Sequence, residues 1–125
     1  MYLAKFKIEI APVTKKNHGQ IVTNRKTGRP MVIPSKPYLQ YQKDAHWFMP
    51  RIEPIDEPVN VKAVFYMPTR RRVDLVNLQE ALLDVLVYYG ILADDNCSIV
   101  YSMDGSYVDY DKERPRTEVE IWQIK

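Results

Sequence analysis

From Tyr2 to Ile10 apolar and charged residues alternate, with Ala4, Phe6, Ile8 and Ile10 set against Lys5, Lys7 and Glu9. A period of two predicts a half-buried strand, which Pro12 ends. Two short β-rich stretches follow, around Ile21-Val22 and Met31-Val32-Ile33, joined by Thr23-Asn-Arg-Lys-Thr-Gly28. This pattern, from Gln20 to Pro34, predicts a hairpin whose tip carries Arg25, Lys26 and Arg29. Ser35 then offers a helix cap and Pro37 is tolerated in a first turn. Tyr38, Tyr41, Ala45 and Phe48 fall on one face of a helix that would run to about Phe48. Pro50, Pro54 and Pro58 mark an extended connection. Val59, Val61, Ala63, Phe65 and Met67 alternate with Asn60, Lys62 and Tyr66, a second strong strand ended by Pro68.

From Asp74 or Asn77 to Tyr89 the period becomes helical. Leu78, Leu82, Val85, Leu86 and Tyr89 form an apolar stripe, and Gly90 stands where a helix commonly turns left-handed. Cys97–Met103 and Thr117–Ile124 read as strands, with Asp104-Gly105 and Asp111–Pro115 as the connections. The order β-ββ-α-β-α-β-β predicts an α+β fold, a mixed sheet covered by two helices. The 125 residues suit a single domain spanning 1–125. There is no internal repeat.

Composition changes this picture little until charge is divided along the chain. The net charge is only +2, yet residues 1–51 hold 10 basic and 2 acidic residues, whereas residues 52–125 hold 8 and 14. Residues 73–111 contain 8 acids and neither Lys nor Arg. A basic front implies a polyanionic partner, and concentrated carboxylate implies either a cation site or a solvated face. A nuclease that grips phosphates beside a divalent metal needs both. Cys97 is the single cysteine, so an intrachain disulfide framework is excluded and a reducing, cytoplasmic setting is expected. No apolar run approaches the roughly 18–20 residues that span a bilayer, so no membrane partner is expected.

The chemistry-bearing residues concentrate in Arg70-Arg71-Arg72, Asp74, Asn77, Glu80 and Asp84, followed by Asp94-Asp95-Asn96. On a helix Asn77, Glu80 and Asp84 share a face, and Asp74 comes at its entrance. Two carboxylates 4 Å apart repel by about 1 kcal/mol even in water. Such a cluster stands if a cation neutralises it or if its members point apart into solvent. Helix-entrance Asp and turn-forming Asp-Asp-Asn are also ordinary local chemistry. The calcium-loop register is absent, as are a phosphate-binding glycine loop, a nucleophile elbow and a dinucleotide turn. His18 and His46 stand apart from one another, and Cys97 has no neighbouring His in sequence.

At these positions the chain resembles the RusA family of phage-type Holliday-junction resolvases. The likeness rests on Met67-Pro68-x-Arg-Arg-Arg72-x-Asp74-Leu-x-Asn77-Leu-Gln, then Asp84-x-Leu86, Gly90 and Asp94-Asp95. Pro12-x-x-Lys15-Lys16-Asn17 and Ser35-x-x-Tyr38 resemble the family's N-terminal loop and first helix start. The resemblance implies a homodimeric α+β endonuclease, encoded by a bacterium or phage, that cleaves branched DNA in recombination and repair with Mg²⁺ or Mn²⁺. It places the catalytic carboxylates at Asp74 and Asp95, with Asp94, Asn77 and Asp84 at further motif positions. Two positions depart from the family: Val76 stands where it has a second aspartate, and Glu80 where it has a lysine. Four residues apart, these two share a helix face, and a Glu80 side chain reaching back would restore the lost carboxylate.

The expected metal set is therefore Asp74, Glu80, Asp94 and Asp95, with Asp74, Glu80 and Asp95 catalytic and Asn77 and Asp84 supporting. Lys15, Lys16, Asn17, Arg25, Lys26, Arg29, Arg70, Arg71 and Arg72 are the expected DNA contacts. The alternatives are a non-catalytic nucleic-acid-binding module of the same fold, which Val76 favours, and a nuclease for other branched or RNA substrates.

Overall fold

The computed structural model describes residues 1–15 and 20–124. Lys16, Asn17 and His18, singled out above, lie outside the described residues. The elements are β1 (Tyr2–Ile8), β2 (Gln20–Thr23), β3 (Pro30–Ile33), α1 (Lys36–Ala45), a 3₁₀ turn (His46–Phe48), β4 (Val59–Met67), α2 (Leu75–Tyr88), β5 (Val100–Ser102), β6 (Tyr107–Tyr110) and β7 (Arg116–Gln123). The fold is α+β with a mixed sheet and two helices, as the pattern predicts.

β4 is the centre of the sheet. Its one edge pairs antiparallel with β7, from Val59 opposite Gln123 to Tyr66 opposite Arg116, and β7 pairs antiparallel with β1. Its other edge is shared by two short parallel strands: β5 beside Val59 and Asn60, and β6 beside Val64 to Met67. The buried Asn60 fills the gap between them. Its amide oxygen accepts from Asp104 N at 2.7 Å and Ser102 Oγ at 2.6 Å, and its Nδ2 donates to the Asp104 carbonyl. Ser106 Oγ completes the edge by accepting from Ala63 N at 3.0 Å. Thus the sheet edge carries side-chain partners where strand pairing lapses, as buried backbone groups require.

One face of the sheet packs on the helices. Val59, Val61, Ala63 and Phe65 of β4 and Val119 and Ile121 of β7 join Leu78, Ala81, Leu82, Val85 and Leu86 of α2 and Tyr38, Tyr41 and Ala45 of α1 in one core. Ser35 caps α1, its side chain accepting from Tyr38 N. The α-helix stops at Ala45 and tightens into the 3₁₀ turn, three residues short of its expected length as α-helix. Met49 is extended, as the residue before a proline tends to be. α2 closes in a Schellman arrangement: Gly90 takes φ +72°, its N–H bonds Val87 O, and Ile91 N bonds Leu86 O at 2.8 Å.

Two strands depart from the pattern. The expected strand at Cys97–Met103 shrinks to Val100–Ser102 because Asn96 turns the chain, its Oδ1 accepting from Ser98 N and its carbonyl from Ile99 N and Val100 N. β6 lies between the two expected connections, where no strand is expected: Tyr-Val-Asp-Tyr has no apolar alternation, and its partner lies on β4.

The opposite sheet face is charged. Glu120 meets Lys5 and Lys62, and Arg116 lies over the Tyr66 ring and donates to Glu118 and Asp111 at 2.8 Å each. The Arg116 hydrogen bond, with help from the Arg114 and Glu113 N–H groups, holds the Asp111 carboxyl below the usual carboxylate range. A depressed pKa contributes stability that is present above the ordinary Asp value and lost as pH falls through the folded one. Thermal unfolding at about pH 6 and about pH 3 should therefore show a smaller acid-side drop in Tm for Arg116→Gln than for the unaltered chain, and equal drops would refute this assignment.

Candidate active site

The segment Pro68–Val73 leads from the end of β4 to Asp74, the N-cap of α2. Asp74 is exposed and makes no side-chain bond to the helix N–H groups; instead its carboxylate accepts from Asn77 Nδ2 at 3.3 Å. Beside it opens a cleft of about 510 Å³, walled by Pro12–Thr14, Ser35, Pro37, Met67, Thr69, Arg71, Arg72, Asp74 and Asn77 among others. Two arginines and the N-terminal end of a helix thus border a cleft that has the Asp74 carboxylate on its wall. This is the composition expected where a phosphate is held next to an acid. Arg70 takes another course, its guanidinium lying 4.2 Å from the Tyr110 ring centroid.

A second group of acids gathers near the other end of α2. Asp84 is held by Lys15 Nζ at 2.6 Å, and Lys15 also lies over the Tyr38 ring. In the loop after α2, Asp94 behaves as a turn residue, accepting from Asp95 N at 2.7 Å and from Asn96 Nδ2 at 3.2 Å. The Asp95 carboxyl titrates above its usual range. Partial desolvation is the first cause, followed by a carboxyl–carboxyl hydrogen bond with Asp94 and by the charges of Asp94 and Asp84.

The expected convergence of at least three of Asp74, Glu80, Asp94 and Asp95 on one point is not formed. Among the described residues no group of three or more His, Cys, Asp or Glu side chains stands close enough to hold an ion. Along α2 alone, ten residues separate Asp74 from Asp84 by about 15 Å of rise. Glu80 lies between them, half-buried, on the same face as the exposed Val76 and as Asp84. The expected DNA contacts likewise divide. Arg71 and Arg72 line the cleft, Arg25, Lys26 and Arg29 ride the hairpin tip, and Lys15 is engaged by Asp84. Thr14 and Thr69 on the cleft wall carried no sequence signal beyond lying beside basic runs.

Carboxylate oxygens are the hard donors that Mg²⁺ prefers. Asp94 and Asp95 supply such donors side by side, but among the described residues no third His, Cys, Asp or Glu side chain completes a metal-holding group with them.

An α+β fold with a cleft lined by Arg71, Arg72 and Asp74 has the composition of a site that handles phosphate esters. More narrowly, the family model for the endodeoxyribonuclease RusA matches residues 9–122, and the chain belongs to that family. No curated protein matches it. Among the described residues no helix is long and apolar enough to cross a membrane.

Proposed function

We propose that this chain is a metal-dependent, structure-specific endodeoxyribonuclease that resolves four-way DNA junctions as a homodimer in recombination and repair. The observation that carries most weight is the cleft at the head of α2, where Arg71 and Arg72 share a wall with Asp74. In this reading the two arginines bind and orient the scissile phosphodiester through charge-assisted hydrogen bonds. Asn77 positions the Asp74 carboxylate, and Lys15 fixes Asp84 beside Asp95. Asp74 and Glu80 on α2 and Asp94 and Asp95 in the loop after it are the carboxylates that would hold Mg²⁺, with Mn²⁺ as substitute; as they stand they do not meet at one point, so the ion would have to draw them together. When bound, such an ion supplies Lewis-acid polarisation of the phosphoryl group and a lowered pKa for the attacking water. Two copies related by a two-fold axis match a substrate in which two strands of like polarity are nicked symmetrically.

Val76, at the position of the family's second aspartate, favours a second reading, a module that binds branched DNA without cutting it. Both readings require phosphate contacts, and their number is measurable. If Arg25, Lys26, Arg29, Arg71 and Arg72 each engage a phosphate, log K should fall with log salt at a slope of about −4 to −5. Arg25→Ala with Lys26→Ala should flatten that slope by about 2. A slope near zero in filter-binding or anisotropy titrations would contradict both readings, whereas cleavage of a junction in Mg²⁺ separates them.

A further inference from the structure

Among the described residues, the β2–β3 hairpin is separate from the main sheet and from the core. It forms its own two-stranded sheet, and none of its apolar side chains belongs to the core or to the layer packed against it. Ile21 and Val32 face one another across the strands and are 77% and 72% exposed; Val22 and Met31 are exposed on the other face. An isolated hairpin with apolar residues on both faces is a poor solution in water, so its exposure calls for an occupant. Its turn, by contrast, is well built. Asn24 Oδ1 accepts from Lys26 N and Thr27 N, Asn24 O accepts from Gly28 N at 2.7 Å, and Gly28 supplies the φ of +69°. This turn presents Arg25, Lys26 and Arg29, and no acid occurs anywhere in residues 20–35. The hairpin also springs from the cleft, since Ser35 and Pro37, just beyond β3, line its wall.

We infer that the hairpin is a wedge that enters the branch point of the DNA, with its cationic tip on phosphates and the Ile21–Val32 pair against unstacked base faces. The inference rests on the branched-DNA reading above. Charge selects the occupant: a tip of three cations without an acid complements a polyanion, whereas against a second copy of the same arm it would repel. The apolar flanks select the branch over intact duplex. Paired and stacked bases offer no face to an aliphatic side chain, whereas apolar wedges are accommodated where bases are unstacked.

The test uses a synthetic four-way junction with 2-aminopurine at the branch, bound by the full chain in Ca²⁺, and a linear duplex carrying the same base. The unaltered protein should raise the fluorescence several-fold on the junction and leave the duplex unchanged. Ile21→Ser with Val32→Ser should remove most of that rise while changing junction affinity by less than about threefold, because phosphate contacts dominate affinity. Ile21→Trp should show added tryptophan emission that is quenched by the junction and not by the duplex. A double variant with the full fluorescence rise, or Ile21→Trp quenched equally by both DNAs, would overturn the inference. So would a fall in molecular mass of the double variant in sedimentation, which would assign the apolar pair to a second copy. Cleavage of the same junction by the unaltered protein in Mg²⁺ separates the two claims. Cleavage without a fluorescence contrast removes the wedge alone. A contrast without cleavage keeps the wedge and removes the nuclease.

Discussion

Asp74→Asn should abolish junction cleavage, lowering the single-turnover rate by about 10³-fold or more, equivalent to about 4 kcal/mol of transition-state stabilisation. Binding measured in Ca²⁺ should persist, because Arg71 and Arg72 are untouched. The substitution is clean in structural terms. Asp74 is exposed, accepts among the described residues a long hydrogen bond from Asn77, and makes no side-chain bond to the helix N–H groups. Asn is as good a residue at a helix N-cap as Asp, so the variant should melt within a few degrees of the unaltered chain. A lost rate with unchanged Tm and unchanged affinity therefore reports chemistry and not folding. Full activity in Asp74→Asn would remove the carboxylate from the mechanism.

The second large effect concerns the departure of this chain from its family. Val76, Glu80 and Asp84 are spaced four apart and so form one stripe along α2, with Val76 66% exposed and Glu80 half-buried. If Glu80 replaces the carboxylate missing at position 76, Glu80→Gln should reduce cleavage by about 10²-fold or more. Junction affinity should be retained or rise, since an anion facing DNA is removed. Adding Val76→Asp to Glu80→Gln should restore measurable cleavage, and because position 76 is exposed the new aspartate carries no burial penalty. A structural role for Glu80 would not be rescued in this way. Glu80→Gln cleaving at the unaltered rate while Asp74→Asn is inactive would show that the chain works without a replacement carboxylate.

The parts of the fold that were legible in the sequence are those decided by local periodicity. β4 runs over Val59–Met67 as its alternation predicts, and α2 begins after Asp74 and ends with Gly90 in the left-handed turn that its position implied. The hairpin was legible from Asn24 and Gly28. What escaped is non-local. β6 exists because β4 has a free edge to pair with, a fact that Tyr107–Tyr110 do not encode by themselves. β5 is short because Asn96 chooses a turn over the strand that Cys97–Ser98 would have extended.

The site divides in the same way. Arg71, Arg72 and Asp74 line one cleft because they lie in one short segment between β4 and α2. The pairing of Lys15 with Asp84 joins residues 69 apart in sequence, and no spacing rule reaches that far. Whether Asp74 and Glu80 meet Asp94 and Asp95 depends on how the loop after α2 returns along the helix, which no local spacing encodes, and among the described residues no three of these acids stand close enough to hold an ion.

Single-turnover cleavage of a synthetic four-way junction, compared with a linear duplex of the same sequence in Mg²⁺ and in EDTA, tests the central claim most directly. Paired nicks should appear at symmetric positions in two strands of like polarity, on the junction alone and only with the metal present. Tight junction binding with no nicks in either Mg²⁺ or Mn²⁺, or equal cutting of the linear duplex, would contradict it.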